Sequence, residues 1–380
     1  MLILNWIEYK PLKLLIYYHL TTHQLPIMFS SARHFSSAAA RAVSVKTVPV
    51  AVESVSSLKV VVKNAGSKSA SAGLAHLLST SAFLDTTEKS GLRLKREAEL
   101  LGGEYSAEVT RDALVLKATF LKESLPFFVN SLASTLSDAA YKPHELNEIA
   151  GPYASQVYAT ESANPEFKAL EELHAVSYRS GLGLPLYYDG SKSYTNEDIK
   201  TLAKEAFLSE NVEIIGENVN AADLEKIVSE SKFASLPKGN DVIAQKQPTY
   251  TGAESRIRQA GKTSAVIGLP VEDASAYELV AAGLISSVPE SFSATVDSKV
   301  LSYEGSNLFY FSVTSPNASE VSTIISAAAK ALKSTDFSKY SKLASLLAGK
   351  EVAAKSVSVP ADFNLVVVGD VDAVPLKSEL

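Results

Sequence analysis

The residues in this chain that come nearest to hydrolytic chemistry lie in Gly73-Leu74-Ala75-His76-Leu77-Leu78-Ser79-Thr80-Ser81-Ala82-Phe83. This stretch reads as a helix that follows a strand. A helix carrying H-x-x-E-H offers two histidines at i and i+4 to one metal ion. The glutamate at i+3 then acts as general base on the metal-bound water. Here the first histidine is His76, but Ser79 stands in the glutamate position and Thr80 in the second histidine position. A neutral hydroxyl is a poor base and a poor zinc ligand. The helix is therefore expected neither to hold zinc nor to activate water. No catalytic, metal-ligating or cofactor-binding residue is assigned.

Other chemistry-bearing residues reduce to simpler readings. His144 with Glu145, and His174 with Glu171 or Glu172, are adjacent or nearly so on helical sequence. Adjacent helix positions such as His144 and Glu145 do not face one another, and all of these are expected to be surface groups. Gly181-x-Gly183 follows a helix and precedes Pro185, so it lacks the strand–loop–helix context of a dinucleotide site. Asn317-Ala318-Ser319 has the form of a glycosylation sequon, and no G-x-S-x-G elbow is present to activate a serine.

Composition closes off further classes. The 380 residues are long enough for two domains of ordinary size. A net charge of −6 argues against nucleic-acid binding, which favours a basic surface. With no cysteine in the sequence, disulfides, iron–sulfur ligation and thiol catalysis are excluded together, so any redox centre must belong to a partner. No charge-free apolar run reaches the roughly 18 residues that a membrane-spanning helix requires.

The N-terminal region reads as a leader over residues 1–35. The two methionines are Met1 and Met28. After Met28 come Phe29-Ser30-Ser31-Ala32-Arg33-His34-Phe35-Ser36-Ser37-Ala38-Ala39-Ala40-Arg41, rich in Ser and Ala, basic and free of acids. That is the composition of a mitochondrial transit peptide. Arg33-His34-Phe35 before Ser36 has the pattern cut by the matrix processing peptidase. Translation is expected to start at Met28 and cleavage to follow Phe35.

The elements that must position His76 begin with Leu58-Lys59-Val60-Val61-Val62, a buried strand. Ser90 caps a helix through Leu92, Arg96 and Leu100 that stops at Gly102-Gly103. Strands over 104–110 and 113–120 turn at Arg111-Asp112, and a helix then places Leu125, Phe128, Leu132 and Leu136 on one face. Helical sequence fills about 144–178 and 196–208, and Val212-Glu213-Ile214-Ile215-Gly216-Glu217 closes the unit. The second half repeats this order: a strand at Ala265-Val266-Ile267-Gly268, a helix over 276–286, a strand over 308–314, a helix through Val321, Ile325 and Leu332, and a closing strand at Val366-Val367-Val368-Gly369-Asp370. The expectation is an α+β protein of two homologous domains, 36–235 and 263–380. Pro-, Gly- and Lys-containing sequence over 236–262 would link them.

The G-L-A-H…A-F pattern resembles the pitrilysin-type metallopeptidase family, which includes the mitochondrial processing peptidase. The chain is most similar to that family's non-proteolytic members, the core subunits of ubiquinol–cytochrome c reductase (respiratory complex III). Leu100-Leu101-Gly102-Gly103, Leu116-Lys117-Ala118-Thr119-Phe120-Leu121-Lys122, Tyr141-Lys142-Pro143-His144-Glu145-Leu146 and 181–190 share the likeness. The resemblance implies two pitrilysin-like domains, each a mostly antiparallel sheet with helices. It places the family's third zinc ligand near Val157, which cannot ligate. It further implies a structural subunit without its own cofactor, held peripherally on the matrix side of the mitochondrial inner membrane. The implied partners are core protein 1, cytochrome b, cytochrome c1 and the iron–sulfur protein, in a dimeric complex. The alternative within the family is the substrate-binding subunit of the processing peptidase, marked by a glycine-rich loop. The comparable region, 291–307, has Gly305 as its only glycine.

Overall fold

Alternation of apolar residues sets the first sheet. Leu58, Val60 and Val62 lie directly opposite Ala118, Leu116 and Leu114, and all six are buried on the same side. The computed structural model describes residues 43–48, 54–239, 247–288, 293–357, 359–360 and 362–380. The expected leader, with Met28 and Phe35, lies outside the described residues. The first sheet contains β1 (Ser44–Val48), β2 (Val55–Lys63), β3 (Glu104–Val109), β4 (Ala113–Leu121) and β5 (Val212–Glu217) in the order β1-β5-β2-β4-β3. β1 runs parallel to β5, and the remaining neighbours are antiparallel.

The helices of this half are α1 (Leu74–Thr80), α2 (Gly91–Leu100), α3 (Leu125–Ser137), α4 (Pro143–Glu145), α5 (Gly151–Ser162), α6 (Pro165–Tyr178), α7 (Asn196–Ala206) and α8 (Ala221–Glu230). Ser90 caps α2 by accepting from the Arg93 amide, and the chain turns away at Gly102, whose φ of 69° suits glycine. α3 buries Phe128 against Phe120 of β4, ring centroids 4.5 Å apart. A wide π-turn over Leu146–Ala150 joins α4 to α5.

The second sheet repeats the first strand for strand. It holds β6 (Glu254–Arg258), β7 (Thr263–Val271), β8 (Thr295–Tyr303), β9 (Ser306–Ser315) and β10 (Asn364–Gly369) in the order β6-β10-β7-β9-β8. β6 is parallel to β10, as β1 is to β5. α9 (Ala274–Ser287), α10 (Ala318–Ser334) and α11 (Ser341–Ala348) complete this half, with Ile324, Ile325, Ala328 and Leu332 of α10 buried. The α+β expectation thus holds, with two homologous sheets. Three strands lie outside the elements read from sequence. β1 and β6 are short edge strands, and β6 falls inside 236–262, where only a linker was expected. β8 occupies most of the region compared above with a glycine-rich loop.

α6 belongs to the first half by sequence but covers a face of the second sheet. Ala169, Leu173 and Tyr178 are buried against Val266, Leu308, Tyr310, Val366 and Val368. The fit is close enough that a Cβ on Gly268 would stand 2.5 Å from the Leu173 methyls. Hydrogen bonds follow the same seam. The Tyr178 hydroxyl meets Ser306 Oγ at 3.0 Å, and Asn364 Nδ2 donates to Ser177 Oγ at 2.9 Å.

Candidate functional site

α1 starts at Gly73 because little else fits there. Its φ is 76°, and a Cβ would lie 2.7 Å from the Tyr188 Cα. The helix packs against β3, α5 and α7, which buries His76 to 4% exposure. The Tyr188 backbone amide donates to His76 Nδ1 at 3.1 Å, and the Tyr187 ring meets the imidazole edge-on at 4.7 Å. A backbone N–H can only donate, so Nδ1 is the acceptor and the proton of the neutral ring sits on Nε2. Burial pushes the pKa of His76 down to about 4, which keeps the ring neutral at ordinary pH.

The two substituted positions face into their own helix. Ser79 Oγ donates to the His76 carbonyl at 2.8 Å, and Thr80 Oγ1 to the Leu77 carbonyl at 3.1 Å. Both hydroxyls thus satisfy the helix backbone. α5 runs beside α1 and carries Val157, half-buried, where the resemblance placed a third ligand. Among the described residues no three His, Cys, Asp or Glu side chains come together in a way that could hold a metal ion. The carboxylates nearest this region act on Tyr187. Its phenol is raised to about 12, first by burial and then by the negative charges of Glu161, Glu108 and Glu171. The arrangement supplies neither an ionised nucleophile nor a base matched to hydrolysis at neutral pH.

The segment over 181–190 is a strap that closes on α1. Gly181–Gly183 forms a single 3-10 turn after α6. Arg111, 4% exposed at the β3–β4 turn, donates to the carbonyls of Leu182 at 2.9 Å and Leu184 at 2.8 Å. It also pairs with Glu171, whose second oxygen accepts from the Leu186 amide at 3.0 Å. Arg111 is the central residue that sequence reasoning missed. An arginine in a hairpin turn reads as solvated, and its partners lie about seventy residues away.

Two surface expectations are overturned. Glu145 is buried and accepts from the amides of Asp85 at 2.9 Å and Lys142 at 3.2 Å, fixing the turn into α4; His144 beside it is exposed as expected. His174 is buried on the seam between the two halves, with Nδ1 2.7 Å from the Leu170 carbonyl and Nε2 2.9 Å from the Tyr303 hydroxyl. The carbonyl can only accept, so Nδ1 carries the proton and Nε2 accepts from Tyr303. Burial, reinforced by the Arg111 charge, holds its pKa well below the usual range. Spacing along α6 does not decide exposure here, because the second sheet comes down on this helix. Asn317 serves as the cap of α10, accepting from the Ser319 amide at 3.1 Å.

Comparison with known proteins fits this geometry. A family profile described as Insulinase (Peptidase family M16) matches residues 45–190. The mitochondrial cytochrome b-c1 complex subunit 2 of Debaryomyces hansenii is 41% identical over 375 residues, covering 92% of this chain and 99% of that protein. The Saccharomyces cerevisiae protein of the same name is 36% identical, covering 93% of this chain and 100% of its own length. The mitochondrial-processing peptidase subunit alpha of Solanum tuberosum is 28% identical over 50% of this chain. Among solved structures, a peptidase M16 inactive domain from Pseudomonas fluorescens superposes with a TM-score of 0.71 at 17% identity, covering 89% of this chain and 98% of that one. A Helicobacter pylori protease gives 0.69 at 16% identity, covering 87% and 97%. These two establish the shared fold. With two relatives matched essentially end to end, the chain belongs to the mitochondrial cytochrome b-c1 complex subunit 2 family, built on the M16 peptidase fold.

Proposed function

We propose that this protein is the non-catalytic core subunit 2 of respiratory complex III, contributing to the assembly and stability of ubiquinol–cytochrome c reductase. The observation that carries the reading is the end-to-end likeness to cytochrome b-c1 complex subunit 2, at 41% identity with the Debaryomyces hansenii protein. The chemistry of α1 is consistent with it. Ser79 and Thr80 are spent on helix carbonyls, and His76 holds its proton on Nε2, where a metal would have to bind. The chain has no cysteine to ligate an iron–sulfur centre, so that centre belongs to another subunit.

In this reading core protein 1 is the paired subunit. Cytochrome b, cytochrome c1 and the iron–sulfur protein are the further neighbours. The protein sits peripherally on the matrix side of the inner membrane, held there by its partners. No helix among the described residues is long and apolar enough to cross a membrane, which fits attachment through other subunits. Residues 1–35 act as the leader, with translation from Met28 and cleavage after Phe35. The domains divide at 36–235 and 263–380, with β6 (Glu254–Arg258) adding the segment before 263 to the second sheet.

The test is a native gel of gently solubilised mitochondria carrying a tagged copy, with identification of the co-migrating subunits. The expected result is co-migration with a haem-containing, ubiquinol-oxidising complex. Recovery with a soluble partner bearing an intact H-x-x-E-H would move the protein to the processing peptidase instead.

A further inference from the structure

The β3–β4 and β8–β9 hairpins hold equivalent places in the two strand orders, and their turns meet at the seam between the halves. The Glu304 amide donates to Asp112 Oδ2 at 3.0 Å, and Lys68 Nζ donates to the Glu304 carbonyl at 2.8 Å. Beside them the Tyr303 hydroxyl reaches His174 Nε2 at 2.9 Å, and the Tyr178 hydroxyl lies 3.0 Å from Ser306 Oγ. Gly305, with a φ of 86°, lets β8 return into β9 within two residues. Tyr303, Glu304 and Ser306 therefore arrive at the seam on one tight tip.

The turn that receives this tip is equally stiff. Thr110 closes it on Ala113: its hydroxyl accepts the Ala113 amide at 3.0 Å, and its own amide donates to the Ala113 carbonyl at 2.8 Å. The Ser67 and Lys68 amides donate to the carbonyls of Thr110 and Arg111 at 3.2 and 2.9 Å. Asp112 and Arg111 thus move together, yet they face different ways. Asp112 meets the second half. Arg111 holds the strap over 181–190 through the carbonyls of Leu182 and Leu184, and through Glu171 it also holds the Leu186 amide. The strap ends on α1, where the Tyr188 amide donates to His76 Nδ1. Left-handed backbone bounds it on both sides, at Arg179 and Gly181 (φ 60° each) and at Gly190 (φ 81°). Element-terminal positions of this kind can absorb the change of direction when a segment swings. α6 joins the two sides again, since Glu171 and His174 lie one turn apart and hold Arg111 and Tyr303 respectively.

We infer that the β8–β9 turn, the Arg111–Asp112 turn and the strap form one latch that opens and closes as a unit, so that docking of the second half keeps His76 covered. The seam is its weaker end. Lys68 stands 3.5 Å from Asp112 Oδ1 and 4.0 Å from Glu304 Oε2, long for hydrogen bonds. The strap end is held by the charge-assisted bonds of a buried arginine. Opening therefore starts where the halves part and passes through Asp112 and Arg111 to the strap, as a local cooperative unit below global unfolding. The latch is a property of the chain itself and does not depend on which complex the chain joins.

Hydrogen exchange of the purified full chain, read by mass spectrometry over fragments containing 184–190, 302–306 and 58–62, tests it from both ends. Tyr303→Phe alters only the second half. It should speed exchange in 302–306 and in the strap by the same factor, about tenfold, as loss of one partner of a buried hydrogen bond does. His76→Leu removes the acceptor of the Tyr188 amide and should, by reciprocity, speed exchange in 302–306 as well as in the strap. His76→Gln keeps an acceptor and should leave the seam at the wild-type rate. Arg258→Gln, which removes an exposed ion pair of the second half away from the seam, should change neither end. The fragment 58–62 lies in the central strand β2 and reports global opening, so its rate should stay constant throughout. Faster exchange confined to the altered end in either Tyr303→Phe or His76→Leu would overturn the latch. A matching rise in 58–62 would overturn it too, because the whole chain would then be opening.

Discussion

His76 ties the stability of this protein to pH, and the size of the link follows from its surroundings. Its ring is buried, neutral, and accepts the Tyr188 amide at Nδ1. Above pH 6.5 the imidazole is neutral in both the folded and unfolded chain and contributes no pH dependence. Below it, the unfolded chain takes up a proton that the folded chain refuses until about pH 4. The folded state therefore loses stability as pH falls through this window. The interval from 6.5 to about 4, at roughly 1.4 kcal/mol per pH unit, amounts to about 3 kcal/mol. That is a large part of an ordinary domain's margin.

The perturbation that isolates this group is His76→Gln. The carboxamide oxygen can still accept the Tyr188 N–H, but it does not titrate. Urea denaturation of the mature chain at pH 7.5 and pH 4 gives the stability of both proteins at each pH. His174 titrates in the same direction, and the carboxylates contribute too, but both proteins share those terms. The wild type should lose about 3 kcal/mol more than the variant between the two pH values. Equal losses would mean that His76 accepts a proton in the folded state without cost, and the argument from burial and the Tyr188 contact would be refuted.

Restoring the motif with Ser79→Glu and Thr80→His together should not create a zinc site. Val157 still supplies no third ligand, and the Tyr188 amide still competes for the proton arrangement of His76. Metal content after zinc loading and desalting should stay far below one per chain. Arg111→Met removes the donor of two carbonyls and the partner of Glu171, a change expected to cost about 3 kcal/mol by urea denaturation. The strap should then become a preferred site of limited proteolysis between 181 and 190. Gly268→Ala places a methyl 2.5 Å from Leu173 and should cost about 1–3 kcal/mol through displacement of α6. Leu173→Ala in that background should cost less than Leu173→Ala alone, a coupling measured by a double-mutant cycle.

What could be read from the sequence was local. The ends of α2, the β3–β4 hairpin and the apolar face of α3 follow from caps, turns and periodicity within a dozen residues. The departure from H-x-x-E-H at Ser79 and Thr80 was equally plain, because it depends on residue types at fixed helical spacing. What could not be read depends on partners distant in the chain. β1 and β6 are five-residue edge strands, and they are strands only because β5 and β10 lie beside them. His174 looked like a surface residue because its burial is supplied by Tyr303, 129 positions away. Arg111 looked like a turn residue for the same reason.

The two halves have the same strand order but different outer faces, and the difference bears on how the molecule holds together. On the second sheet that face is apolar, with Val266, Tyr310, Val366 and Val368, and α6 of the first half lies across it. On the first sheet the corresponding side carries an ion-pair lattice. Lys46 meets Glu213 at 2.6 Å, Lys63 reaches the same carboxylate at 3.3 Å, and Lys59 pairs with Glu217. These partly exposed pairs keep the face wetted at little gain in stability. The apolar face, by contrast, cannot exist without α6. Removing the first half would leave Val266, Leu308, Tyr310, Val366 and Val368 uncovered together, a patch of the kind that drives aggregation. The second half is therefore a repeat in topology whose stability on its own is expected to depend on α6. Expressed alone from residue 247 onward it should be insoluble or associate with itself, and adding a separate first-half fragment that runs through β5 and α8 and ends after Gly239 should recover soluble material. A monomeric, cooperatively melting second half would show that α6 is dispensable and that the seam is an ordinary docking contact.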